Sequence, residues 1–124
     1  MPRNWKIVEH SAASRWAVKY ASINPNGEIQ LSRVTIESMG NPKSVVLMYE
    51  AETETIGLKP ARNGEQHAFP LRKRGSRGGY LLRGYKLMKD HHLKLTQTLK
   101  FSDIQTELGV LLLDLRTAEP VRRA

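Results

Sequence analysis

The clearest early pattern is an alternation. In "EIQL" (28–31) the apolar side chains fall on every second position, which puts Ile29 and Leu31 on one face of a strand. The preceding "NPNG" (24–27) is strong turn chemistry, and "WAVKYASI" (16–23) has the composition of a strand leading into it. Ser32 then stands before "RVTIESMG", where Val34, Ile36 and Met39 supply an apolar side and Gly40 a stop. A serine, a short periodic run and a closing glycine predict a capped helix. Its β-branched residues are mediocre helix formers, so packing must hold it. After "NPK" (41–43), "SVVLMYEAETETIGLKPA" (44–61) predicts a hairpin turning around Glu52–Glu54. This first stretch reads ββαββ.

The second stretch echoes it after a loop at 62–67. "AFPLRK" (68–73) predicts a short strand that Pro70 confines to an edge or a strand start, and "RGSRGG" (74–79) a glycine loop. "YLL" (80–82) is extended again. "RGYKLMKDHHL" (83–93) predicts a helix with Tyr85, Met88 and His92 on one face, and 94–116 a hairpin turning near Glu107–Gly109. A shift of 51 lays Ile29, Leu31, Val34 and Ile36 on Tyr80, Leu82, Tyr85 and Leu87. Leu47 and Tyr49 meet Leu99 and Phe101 at 52, and Ile56 and Leu58 meet Val110 and Leu112 at 54. The expected organisation is an N-terminal arm (1–16), one domain (17–116) made of two similar halves (17–61 and 68–116), and a frayed tail (117–124). Trp5, Ile7 and Val8 of the arm are candidates to dock on the core. Two such units in one chain would bury each other's apolar face and edges.

Charge changes the picture. The chain of 124 residues has 20 basic and 12 acidic side chains, a net charge of +8. Residues 1–60 hold seven basic against six acidic groups, whereas 61–124 hold thirteen against six. That asymmetry points to an anionic partner, nucleic acid before membrane. Cysteine is absent, which removes disulfides and thiolate metal sites and suits a reducing cytoplasm. The longest apolar stretch, "GVLLLDL", is too short to span a bilayer, and the first residues lack the apolar core of a secretion signal. A cytoplasmic protein is expected.

The residues 18–60, with Gly27, Ile29, Leu31, Met39–Gly40, Val45–Val46–Leu47 and Ile56–Leu58 at the characteristic places, resemble the SpoVT/AbrB-like swapped-hairpin domain. The whole chain looks like a group of bacterial proteins that add a similar C-terminal half. The resemblance implies an α+β, β-rich swapped-hairpin (AbrB-like) fold, with two ββαββ-like halves in one pseudo-symmetric domain. It also implies intertwined homodimers and DNA binding by transcription regulators or antitoxins. This chain departs from the pattern where that family carries its DNA-binding cations. Glu28 follows the turn glycine, and Arg33 on the helix is accompanied by Ile36 and Glu37.

A nucleic-acid surface is therefore expected in the second half, on Arg72, Lys73, Arg74, Arg77, Arg83, Lys86 and Lys89. Arginine forks engage phosphates bidentately, and Gly75, Gly78 and Gly79 allow close backbone approach. Arg83, Lys86 and Lys89 recur every third residue, as a cationic stripe or simply a solvated helix face. Tyr80 and Tyr85 are candidates for base stacking, although tyrosines at apolar spacing more often belong to a core. "RKRGSRGG" lacks the glycine–lysine–serine/threonine ending of a phosphate loop. His91 and His92 are adjacent and diverge by about 100° on a helix, so they make no metal pair. Ser76 has no nucleophile-elbow context. No enzyme, cofactor, metal, membrane contact or small-molecule substrate is expected. The first expectation is a DNA-binding, transcription-regulator-like protein, as a monomer or a homodimer, with about five to seven phosphate contacts and a log–log salt slope on the order of −4 to −6. The rival is a protein-interaction or assembly module, antitoxin-like or scaffold, without direct DNA binding.

Overall fold

The structure, a computed structural model, describes residues 3–5, 19–74, 79–101 and 103–121. Turn chemistry and alternation build its first elements as expected. Strand β1 (Ala21–Ile23) leads through the 24–27 turn into β2 (Glu28–Leu31), then helix α1 (Arg33–Ser38). β3 (Ser44–Glu50) and β4 (Thr55–Pro60) form the acidic-tipped hairpin. There follow β5 (Ala68–Pro70), β6 (Arg72–Arg74), β7 (Gly79–Arg83), helix α2 (Tyr85–Asp90), β8 (Leu99–Phe101), β9 (Gln105–Glu107), β10 (Val110–Asp114) and β11 (Glu119–Pro120). Among the described residues no helix is long and apolar enough to cross a membrane.

The strands make two antiparallel sheets. The first has the order β11-β8-β1-β2-β7-β6, the second β5-β3-β4-β10-β9. In the first, Ile29 lies opposite Leu82 and Ile23, Leu31 opposite Tyr80 and Ala21, and Ala21 opposite Phe101. These side chains point to the inner face. In the second, Leu58 lies between Leu47 and Leu111, and Ile56 between Tyr49 and Leu113. Ile23, Ile29, Leu31, Leu82 and Phe101 join Val45, Ile56, Leu58, Leu111 and Leu113 in one buried cluster between the sheets. Each such side chain is worth about 1.5–3 kcal/mol through burial.

Both helices are six residues long and end alike. In α1 the Gly40 N–H donates to Glu37 O and the Asn41 N–H to Ile36 O; in α2 the His92 N–H donates to Lys89 O and the Leu93 N–H to Met88 O. The chain turns left-handed at Gly40 (φ 85°) and at His92 (φ 55°) to allow this. The N-termini differ. Ser32 caps α1 through its hydroxyl, whereas Gly84 before α2 has no side chain to do so.

Several expectations change. The strand expected at 68–73 is divided: Leu71 separates β5, on the second sheet, from β6, on the first. The segment expected as one arm of a 94–116 hairpin also splits, because β8 joins β1 while only β9 pairs with β10 around Leu108–Gly109. Leu99 and Phe101 therefore do not occupy the place of Leu47 and Tyr49. The buried pair on β10 is Leu111 and Leu113, not Val110 and Leu112. Alternation supplies two phases in "VLLLD", and only pairing with β4 selects one. On α1, Thr35 and Ile36 are buried while Val34 and Met39 are half-buried. Part of the expected tail, Glu119–Pro120, pairs with β8 at the sheet edge. Of the expected arm, 3–5 is described without regular structure. Trp5 is 78% exposed instead of docked, with the Arg3 guanidinium 5.7 Å from its ring centroid, and Ile7 and Val8 lie outside the described residues.

Candidate nucleic-acid interface

The site grows from the end of the first sheet. β6 is its last strand, and Arg72, Lys73 and Arg74 are all exposed there. Pairing puts Arg72 opposite Leu81 and Arg74 opposite Gly79, so both arginines project from the outer face, about 7 Å apart at two strand residues. Lys73 lies opposite Tyr80 and points the other way. None of the three makes an ion pair with a carboxylate among the described residues. Arg77 lies outside the described residues.

Arg83 continues the outer face two residues beyond Leu81, which leaves it about 8 Å from Arg72 along the diagonal. Directly opposite it in register is Glu28, whose Oε1 accepts a 2.8 Å hydrogen bond from the Asn24 side-chain amide. Arg83 thus faces an acid across the strand pair, without an ion pair to it among the described residues. Farther across the same face the register runs Leu81, Gln30, Ser22, Lys100, Glu119. Ser22 and Leu81 are buried there. The fully strand-borne run of exposed cations on this sheet therefore lies at the β6 edge, not over its centre.

The α2 stripe divides. The Lys86 ammonium is held by Asp90 at 2.9 Å, one helical turn away. That hydrogen bond is the main cause that draws the Asp90 carboxyl below its ordinary range. Lys89 carries no such tie among the described residues. Tyr85, expected on the buried side, is 62% exposed, because α2 buries Leu87 and Met88 instead. His92, expected on the same packed face, is exposed and serves as the left-handed stop. Tyr85, Lys89, His92 and Lys94 line a cleft of about 320 Å³ with Pro25, Met88, Leu93 and Leu95. An exposed ring among lysines is a suitable platform for a base. Tyr80, the other stacking candidate, faces inward against the core.

Sequence reasoning missed Lys94 and Lys100. Lys100 has strand alternation on its side, but its placement on the outer face needs the β1–β8 pairing. A second recess of about 390 Å³, between β3, β5 and α2, contains Tyr49 and His91 with ring centroids 4.8 Å apart. Burial, and secondarily Glu54, raises the Tyr49 hydroxyl above its ordinary value. Among the described residues no three histidine, aspartate or glutamate side chains gather as metal ligands would.

The Lys86–Asp90 pair yields a prediction. Asp90→Asn removes one negative charge and frees Lys86, so polyanion affinity should rise and its log–log salt slope should steepen by about 1. An unchanged slope in a salt titration would remove Lys86 from the interface. Comparison with protein-family models, with curated proteins and with solved structures found no match.

Proposed function

We propose that this protein is a cytoplasmic DNA-binding, transcription-regulator-like protein that holds the phosphate backbone with the β6 edge. The observation that carries this reading is the run Arg72–Lys73–Arg74, three exposed cations at the end of a sheet without a carboxylate partner among the described residues. Arg83 links that edge to the Tyr85–Lys89 cleft, since β7 hands over to α2 within two residues. Phosphate contacts supply affinity and orientation without reading sequence, and a base stacked on Tyr85 adds a sequence-tolerant contact.

We infer the swapped-hairpin fold as well. Its support is the central pairing of β2 with β7 and of β4 with β10, flanked by β1 and β6 on one sheet and by β3 and β9 on the other. A shift of 52 superposes α1 on α2 in sequence and Gly40 on His92, residues that end their helices in the same way. Both observations support two similar halves related by a pseudo-twofold axis.

A salt titration of duplex binding tests the function. With Lys86 tied up, roughly four to five available cations predict a slope of about −3 to −5, shallower than the sequence alone implies. Arg72→Ala with Arg74→Ala should flatten it by about 2 and weaken binding on the order of tenfold on any sequence. No measurable binding at low salt retires the proposal. Full affinity in the double variant moves the site elsewhere. The second reading, a protein-interaction or assembly module, is favoured by the open strand edges considered next.

A further inference from the structure

The two ends of the chain's sheet pairs are treated differently. β1 is covered on its outer side by β8, and β3 by β5, each a three-residue antiparallel strand. The strands at the other ends, β6 and β9, pair with nothing beyond them among the described residues. Both are three residues long and fully exposed, and neither contains proline. Such an edge presents unpaired N–H and C=O groups to any strand that fits.

The side chains decide which strand fits. β6 is Arg72, Lys73, Arg74, and two copies of it would oppose like charges. β9 is Gln105, Thr106, Glu107, with Asp103 just before it. Antiparallel pairing of β6 with β9 sets Arg72 against Glu107, Lys73 against Thr106 and Arg74 against Gln105. Glu107 also borders a hollow of about 510 Å³ on the outer face of the second sheet, lined by Met48, Val110 and Leu112, by the carboxylate of Glu50, and by Asp114, which Arg116 already pairs at 3.1 Å. Gly57 leaves this hollow open, since it has no side chain between Met48 and Leu112. Arginine stems lie well on such apolar ground while their guanidinium groups reach acids.

We propose that β6 of one copy adds to β9 of a second copy, which makes this chain its own head-to-tail partner. The contact is heterologous, so each copy keeps one open edge and association does not close at two. Three-residue strands bury far less than the roughly 1,000 Å² of a stable interface, so the association is weak and depends on concentration. Arg72 and Arg74 serve it directly, and a bound polyanion displaces it. It is measured without nucleic acid and stands or falls separately from the DNA reading.

Sedimentation velocity from about 10 to 500 µM tests it; opposite charges at an exposed contact are screened by salt. At low salt the average mass should climb with concentration, and at about 0.5 M salt it should return to the monomer. Glu107→Lys alone, and Arg72→Glu with Arg74→Glu alone, should each remain monomeric, whereas their equimolar mixture should associate again. A wild-type chain that stays monomeric at low salt overturns the proposal. So does a dimer that survives Arg72→Glu with Arg74→Glu, or a mixture in which association is not restored.

Discussion

Gly27→Ala should lower the free energy of unfolding by about 3–4 kcal/mol, the largest loss expected for a glycine-to-alanine change among the described residues. Two causes add. Gly27 has φ of +80°, where an alanine costs about 1–2 kcal/mol. Its added Cβ would also fall 2.7 Å from the Tyr85 Cα and 2.8 Å from the Tyr85 nitrogen. That is backbone at the first turn of α2, and the Gly84 N–H is meanwhile bonded to Gly27 O at 2.8 Å, so neither side can swing away. Gly64→Ala provides the control. It has φ of +76° but nothing within 4 Å of the added carbon, so it should cost only the conformational part, about 1–2 kcal/mol. Chemical denaturation of both variants decides the point. Equal losses would mean that the close approach of the 24–27 turn to α2 carries no strain. The consequence reaches the candidate interface, because this contact seats the N-terminus of α2 and with it Tyr85 and Lys89.

Thr35→Val should cost about 2 kcal/mol although it preserves the side chain's shape. Thr35 is fully buried. Its hydroxyl oxygen accepts from the Tyr20 N–H at 2.8 Å, lies 3.0 Å from the Tyr20 carbonyl to which it donates, and sits 2.8 Å from the Ser32 hydroxyl. The loss stops short of a fully orphaned pair, because the Ser32 hydroxyl and N–H also reach Tyr20 N–H and O, at 3.1 and 2.9 Å. Ser32→Ala and Thr35→Val should therefore be non-additive, because only together do they leave the Tyr20 N–H without a hydroxyl acceptor. Additive losses in a double-mutant cycle would mean that the two hydroxyls act separately. This network ties the chain entering β1 to the start of α1, so it holds the first helix where propensity alone does not.

Much of the first half is legible from local chemistry. Ser32, Gly40 and the apolar spacing between them locate α1, and the alternation around Ile29 and Leu31 locates β2, because caps, turns and period-two patterns act within a few residues. The second half is harder to read for a physical reason. Its helix starts at Gly84 without a side-chain cap and stops at His92, a residue with no strong claim to a left-handed turn. Its four consecutive apolar residues 110–113 fit either face. The candidate site shows the same divide. The clustering of Arg72, Lys73 and Arg74 is evident along the chain, but the loss of Lys86 to Asp90, the exposure of Tyr85 and the facing of Arg83 by Glu28 are not.

The sequence by itself determined the β-rich character, the positions of the turns and the cationic excess of residues 61–124, since each depends on residue type and short spacing. The tertiary structure decided which strands share a sheet, which face of each is buried and which cations stay unpaired. Those outcomes depend on contacts such as β1 with β8, β2 with β7 and β4 with β10, made between residues far apart in the chain, and no local pattern encodes a partner's register.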